Sequence, residues 1–589
     1  MRFASVGRVE CAVLLLALNG CGLIGGDDGE ASPGAGNAAA SGAAGSSVGG
    51  QHGAGDPSSS GTVAGAGARA GAGASSGSHT GGMSGVGTAV GGAGSLAGAA
   101  SVAAAGSQPM DPGCASAINL DGDLKTSEVS QPGKLVANLR GDLTVDSTNG
   151  LADLRCLQTV SGYVSITIAS GGLSALARLR SVGTTLKIEG NSTIRNLSDL
   201  QSLGAVGDSL IISKNSALLD LSGSLLGYVG GPLSILENPA LLNLEGLERL
   251  DGMPAVKIAD NASLQNLDGL QNLTRHGVDL YIGGNLALVS VAGLGSLDEP
   301  RSVIIRRCPL LRDLKGLEGW TSIGSATIDL NDTLVSLAGL SGTTQIISLV
   351  LSDNASLRDL DGLENVETLF GASITGNPKL ENIDALGTSM VTVANLSLDA
   401  PALTSLEGLH NALDFNMLEI GSLGVNNLNG LRNLRTVSSL TIKNSKLKDF
   451  TGLGKAGLWE LTVDGNTELT SLAGLSSLNQ EMQTVRVVNN PKLQDLTGLS
   501  MMRVISQLTV ESNATLTSLA GLETLKTVDS LELFDLPVLS TLAALAPLKT
   551  ISSGATIRQN SLLSNCEAQQ FVTRCGAPAS DLQDNGPCN

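Results

Sequence analysis

One phrase recurs along this chain and constrains its fold more than any other feature. Leu186-Lys187-Ile188-Glu189-Gly190-Asn191 returns as Ile211-Ile212-Ser213-Lys214-Asn215, as Leu233-Ser234-Ile235-Leu236-Glu237-Asn238 and as Val256-Lys257-Ile258-Ala259-Asp260-Asn261. The same phrase continues through Asn285, Asn331, Asn354 and Asn377, and later through Asn466, Asn490, Asn513 and Asn560. The interval is 23 or 24 residues almost throughout, and slightly shorter around Pro401, Leu423 and Ser445. About 19 turns fit between Leu143 and Ile557. A second signature follows each Asn: Leu244-Glu245-Gly246-Leu247 recurs as Leu267-Asp268-Gly269-Leu270, Leu360-Asp361-Gly362-Leu363 and Leu519-Ala520-Gly521-Leu522. A third apolar point, such as Leu250 or Val437, precedes the next phrase.

This spacing has one physical solution. Leu-x-Ile alternates with period 2, which predicts a short strand with both apolar residues inward. The remaining apolar residues fall about every third position, as inward points of a coil. A single turn cannot bury its own apolar face, so turns stack. Stacked strands pair in parallel at about 4.8 Å. The Asn column is expected to lie buried at a tight bend, bonding backbone groups and the neighbouring turn's amide. Gly in Leu-x-Gly-Leu is expected to permit a bend that a Cβ hinders.

The phrases Asn377-Pro378-Lys379-Leu380 and Asn490-Pro491-Lys492-Leu493, together with Leu-x-Gly-Leu, resemble the receptor L-domain type of leucine-rich repeat. That type occurs in the extracellular halves of insulin- and EGF-type receptors, in fungal wall proteins and in many bacterial surface lipoproteins. The resemblance covers residues 114–589. It implies a leucine-rich-repeat solenoid, a right-handed parallel β-solenoid on the cell surface, capped at both ends. It carries no ligand across, because the contacts of such domains lie at variable exposed positions.

Composition agrees with a repeat stack. Aromatic residues make up only 2% of the chain against 42% hydrophobic, so the core is aliphatic. The net charge of −19 argues against nucleic acid as a ligand, since an acidic surface repels phosphates. Residues 1–20 read as a signal peptide, with Arg2 and Arg8 before a short apolar run from Ala12 to Leu18. Leu18-Asn19-Gly20-Cys21 then resembles the bacterial lipobox, with Asn19 departing from the usual small or apolar residue. The resemblance implies lipidation at Cys21, a membrane partner through that anchor, and an outer-membrane or cell-surface location. Plain secretion with cleavage nearby is the alternative. Residues 21–113 hold that Cys and a Gly/Ala/Ser-rich tract that buries too little to order itself, so it is expected to act as a disordered tether.

Both ends of a solenoid need covering. Residues 114–160 are expected to form an N-terminal cap and first turn closed by Cys114–Cys156. The solenoid proper is expected over 161–563, with a disulfide cap over 564–589. A short helix is expected to start with Asn565 as N-cap and Glu567 in its first turn. Cys566 and Cys575 fall on opposite helix faces. Cys566–Cys588 is therefore the favoured pair, with Cys575–Cys588 the alternative. Cys308 stands in the Asn column, too far from the other thiols to pair, and is expected to be a buried free thiol.

No catalytic constellation appears. His276 and His410 lie on different turns, and no nucleophile elbow, phosphate loop or zinc motif is present. No cofactor or metal is expected. Arg140-Gly141-Asp142, Asp121-Gly122-Asp123 and the sequons at Asn261 and Asn354 are all explained by the repeat. The candidate binding face is the outward side of the strands, whose central column reads Lys187, Ile211, Ser234, Lys257, Tyr281, Ile304, Thr327, Val350. Ile211, Lys257, Tyr281, Ile304 and Val350, with Arg306 and Arg307 beside them, form an apolar and basic patch that resembles an interface centre. The expected function is non-catalytic recognition or adhesion, with a protein or glycan ligand. A structural envelope spacer is the alternative, and a polysaccharide-active solenoid enzyme is disfavoured because few aromatics are available to stack on sugar.

Overall fold

The computed structural model describes residues 112–588 apart from 130–132, 170, 388–391 and 476–479. The chain divides into two units, Met1–Gly94 and Ser95–Asn589, and every described residue belongs to the second. The signal-peptide and Cys21 expectations, and nearly all of the tether, fall outside the described residues.

The main sheet is a parallel ladder in chain order. It runs from Leu124–Lys125 through Leu143–Val145 and Leu186–Glu189 to Thr550–Arg558 and Ser580–Asp581. Register advances one repeat per rung, so Leu186, Leu210, Leu233 and Val256 are successive Cα partners. This is a parallel β-solenoid. Alternation places Leu186 and Ile188 inward with no exposed surface. The three-residue spacing of Leu241, Leu244 and Leu247 buries those side chains as completely. Leu-x-Gly-Leu segments often close as short 3-10 turns, such as Ala338–Leu340 and Thr497–Leu499.

Strand length changes along the stack. Early turns carry a second, short ladder: Ile118–Asp121, Val136–Arg140, Thr159–Val160, Ser181–Val182, Ala205–Val206 and Tyr228–Val229. From Ser322–Asp329 onward there is one strand of eight or nine residues per turn. The repeat predicts only the short Leu-x-Ile strand. In the later turns the third apolar point joins it, so Val437 lies inside the strand Thr436–Lys443.

The Asn column is a hydrogen-bonded ladder with no exposed surface. The Asn191 and Asn215 backbone N–H groups donate to the side-chain oxygens of Asn215 and Asn238, at 3.1 and 3.0 Å. Asn215 Nδ2 donates back to the Ile188 carbonyl at 2.9 Å. The pattern repeats at Asn331, Asn354, Asn490 and Asn560. Cys308 substitutes for one rung: its Sγ donates to the Arg306 carbonyl at 3.4 Å and accepts from the Asn285 N–H. Burial pushes this thiol up to about 12, so it stays protonated and inert.

The residue before each rung takes a left-handed conformation that the repeat phrase alone does not announce. Lys214, Glu237, Asp260, Arg307, Leu330 and Asp353 all have φ between 53° and 59°. Gly190, Gly284, Gly376 and Gly465 at the same position are the signal that foretells it. The Leu-x-Gly-Leu glycines meet the expected bend at many turns and a second need besides. Gly246 and Gly521 have positive φ, but Gly339 does not. In all three a Cβ would press well inside contact distance on the preceding turn's Leu carbonyl. Close stacking of turns is what they share.

Both caps carry a disulfide, Cys114–Cys156 and Cys566–Cys588. The C-terminal helix spans Asn565–Cys575 and its N-cap is Ser564, one residue earlier than the sequence suggests. Glu567 in its first turn accepts from the Leu542 N–H at 2.6 Å and the Thr541 hydroxyl at 2.9 Å, tying helix to solenoid. Cys575 is buried and unpaired. Among the described residues no helix is long and apolar enough to cross a membrane.

Candidate functional site

The patch residues fall on the outward side of consecutive rungs. Lys187, Ile211, Ser234, Lys257, Tyr281, Ile304, Thr327 and Val350 are successive register partners. Arg306 lies two residues beyond Ile304 on the same strand and faces the same way. Arg307 follows it in the left-handed bend and is exposed.

Local packing orients these side chains. The Tyr281 ring lies along its own strand over Gly283, where its Cε1 stands 2.8 Å from the place a Cβ would occupy. A side chain at 283 would push the ring off. Lys257 Nζ sits 5.4 Å from the ring centroid, within cation–π range. Arg306 Nη2 donates to Asp329 Oδ2 at 2.9 Å on the next rung. Burial raises the Asp329 carboxyl above the usual carboxylate range, and the Arg306 and Arg307 charges oppose that rise. Arg306 Nε and Asp329 Oδ1 are buried with no hydrogen-bond partner among the described residues.

The patch is less exposed than the sequence suggests. Ile211, Ile304 and Val350 are half-buried, because each lies between the side chains of adjacent rungs. More exposed apolar side chains stand elsewhere. Leu219, Leu242, Val289 and Val335 occupy the fourth position after the column residue of their turns, and Val289 is 53% exposed. Sister turns carry Arg195, Gln265, Arg312 and Arg358 there, and that contrast is the sequence signal that went unread. Phe370 and Trp459 project from the later strands, 47% and 57% exposed. Surface aromatics are therefore present despite the low aromatic content.

The smaller motifs are absorbed by the fold. Asp123 accepts from the Asp142 N–H at 2.8 Å and Asp142 from the Tyr163 N–H at 2.7 Å, so both carboxylates cap successive turns. Asn261 and Asn354 are buried, which removes their sequons from the surface. His276 lies 3.0 Å from Asp298 and 3.6 Å from Glu299 on an exposed loop, and His410 is on another turn. Among the described residues no group of three or more His, Cys, Asp or Glu side chains could hold a metal ion.

No protein-family model matches the chain, and no curated protein matches it. Among solved structures, TLR13 in complex with ssRNA13 aligns at 14% identity over 78% of this chain and 93% of its own, with a TM-score of 0.23. A leucine-rich repeat protein of Leptospira interrogans aligns at 15% identity over 73% of this chain and 96% of its own, with a TM-score of 0.26. Neither superposes closely enough to bear on what this chain binds.

Proposed function

We propose that this protein is a non-catalytic recognition protein of the bacterial cell surface, a receptor L-domain-type solenoid held to the outer membrane by a lipidated Cys21. Its ligand is a protein surface with apolar and acidic character, received on the outward face between Ile211 and Val350. One observation carries the reading: apolar and basic side chains are concentrated on adjacent rungs of an acidic protein. Further along the same column the residues are Ser373, Ser397, Glu419, Thr441 and Thr462.

The test compares the parent with an Ile304→Glu/Arg306→Glu variant displayed on cells. A partner retained by the parent and released by the folded variant is expected. Equal retention by both would move the function to a structural spacer. Membrane fractionation of a Cys21→Ala variant checks the anchor, and the variant is expected to leave the membrane fraction.

A further inference from the structure

Each eight-residue strand contains one residue that the ladder skips. Ile346 pairs with Leu369 and Ser348 with Gly371, so Ile347 and Phe370 fall between paired positions. Phe415 pairs with Val437 and Met417 with Ser439, skipping Asn416 and Ser438. Val437 pairs with Leu458 and Ser439 with Glu460, skipping Ser438 and Trp459. The skipped residues lie opposite one another on successive strands and stack turn upon turn into a column, and each is outward because two residues separate the inward positions of its strand.

This column has a distinctive composition. Phe370 and Trp459 are both exposed, with Ala394, Asn416 and Ser438 between them. Four rungs separate the two rings, about 19 Å at the usual strand spacing. The residues between the rings are small or polar, so the rings stand above a lower floor. No member from Gly324 to Ser506 is charged, although the chain carries a net charge of −19. Asn416 Nδ2 donates to Asn395 Oδ1 at 3.1 Å, which leaves the Asn416 oxygen and the Asn395 amino group without a further bond among the described residues. Trp459 Nε1 donates to Gln483 Oε1 at 2.6 Å, which holds the indole in place before any ligand arrives.

We infer that the outward column from Phe370 to Trp459 binds an uncharged, unbranched glycan laid across the strands. A sugar ring offers an apolar face of C–H groups that stacks on an aromatic ring, and an edge of hydroxyls that pairs with amides. The neutral strip matches an uncharged polymer, since a polyanion would meet repulsion and a polycation would find no carboxylate in the column. A protein partner is disfavoured by the spacing. Its anchor residues cluster at one centre, whereas these two rings stand apart with polar groups between. A chain of several linked sugars spans the gap with one ring stacked at each end. This site is separate from the Ile304 patch and does not depend on it.

The experiment uses the full-length protein and soluble β-1,3-glucan, α-1,4-glucan, dextran and α-mannan as probes, with alginate as the charged control. Affinity electrophoresis reads retardation. Tryptophan fluorescence reads contact, because Trp320 is buried and the signal change belongs to Trp459. At least one neutral polymer is expected to retard the parent and shift its emission. Phe370→Ser and Trp459→Ser are each expected to weaken binding about tenfold. Asn416→Ala, which leaves both rings in place, is expected to weaken it severalfold, and Ile304→Glu/Arg306→Glu to leave it unchanged. Retardation by alginate alone, by no polymer, or equally in the ring variants would overturn the inference. Failure of the Ile304 patch to hold a protein partner would leave this result untouched.

Discussion

The early and late turns solve the same packing problem with different backbones. In the early turns three residues separate the two inward positions, as between Val160 and Val164 or Val206 and Leu210. The chain turns a corner there, and two short ladders form. In the late turns only two residues intervene, as between Ile346 and Leu349. The ladders fuse there, and one outward residue per strand is left outside the pairing. In these turns one residue of spacer accompanies the change from two narrow faces to one broad face with an outward column, although the last long strand, Thr550–Arg558, stays continuous with three residues between Ile551 and Ala555. From the third corner on the position is glycine: at Gly183, Gly207 and Gly230 a Cβ would collide with the carbonyl of the corner below, whereas the first two corners hold Arg140 and Ser161 there. The outward column makes no such demand and holds Ile347, Phe370, Asn416 and Trp459.

The largest expected effect tests what the two regions share. Asn238→Ala strands the Ile212 carbonyl and the Asn215 N–H, and Asn354→Ala strands the Ile328 carbonyl and the Asn331 N–H. Each is expected to cost about 4 kcal/mol in denaturant unfolding, since two buried groups lose partners. A markedly smaller cost in one region would mean that the ladder is not the common support. The next effect separates the regions. Gly207→Val is expected to cost about 3 kcal/mol, whereas Ser438→Val in the outward column stays within about 0.5 kcal/mol. Equal costs would break the distinction between corner and outward column. A smaller effect than that of Gly207→Val lies near the junction. Cys308→Asn replaces a sulfur surrogate with a true rung between Asn285 and Asn331, and is expected to stabilise by about 1 kcal/mol. A neutral or destabilising result would show that the stack has relaxed around the thiol.

Much of this architecture was legible beforehand because a solenoid repeats its physics. A residue buried in one turn is buried in the equivalent place in the next, so Leu186, Leu210 and Leu233 vouch for one another. The cap disulfides were legible for a related reason: Cys308 stands far along the stack from the end thiols, which left few pairings. The candidate face was legible only in part. Alternation identified Ile211, Tyr281 and Ile304 as outward, but how deeply each sits depends on its neighbours one repeat away. Phe370 and Trp459 were missed because they precede the repeat phrase, in positions that look like loop until the strand is seen to run through them.

The sequence by itself determined the parallel stack, the inward residues and the Asn column, because period and amide chemistry act within one repeat and its immediate neighbour. It also placed the end caps through their cysteines. Only the tertiary structure decided where the turn has a corner and where it runs as one strand, how closely the Leu-x-Gly-Leu glycines are stacked, and which outward side chains stand clear of their neighbours. Those outcomes depend on distances between turns, and residues some 23 positions apart in the chain meet only once the stack has formed.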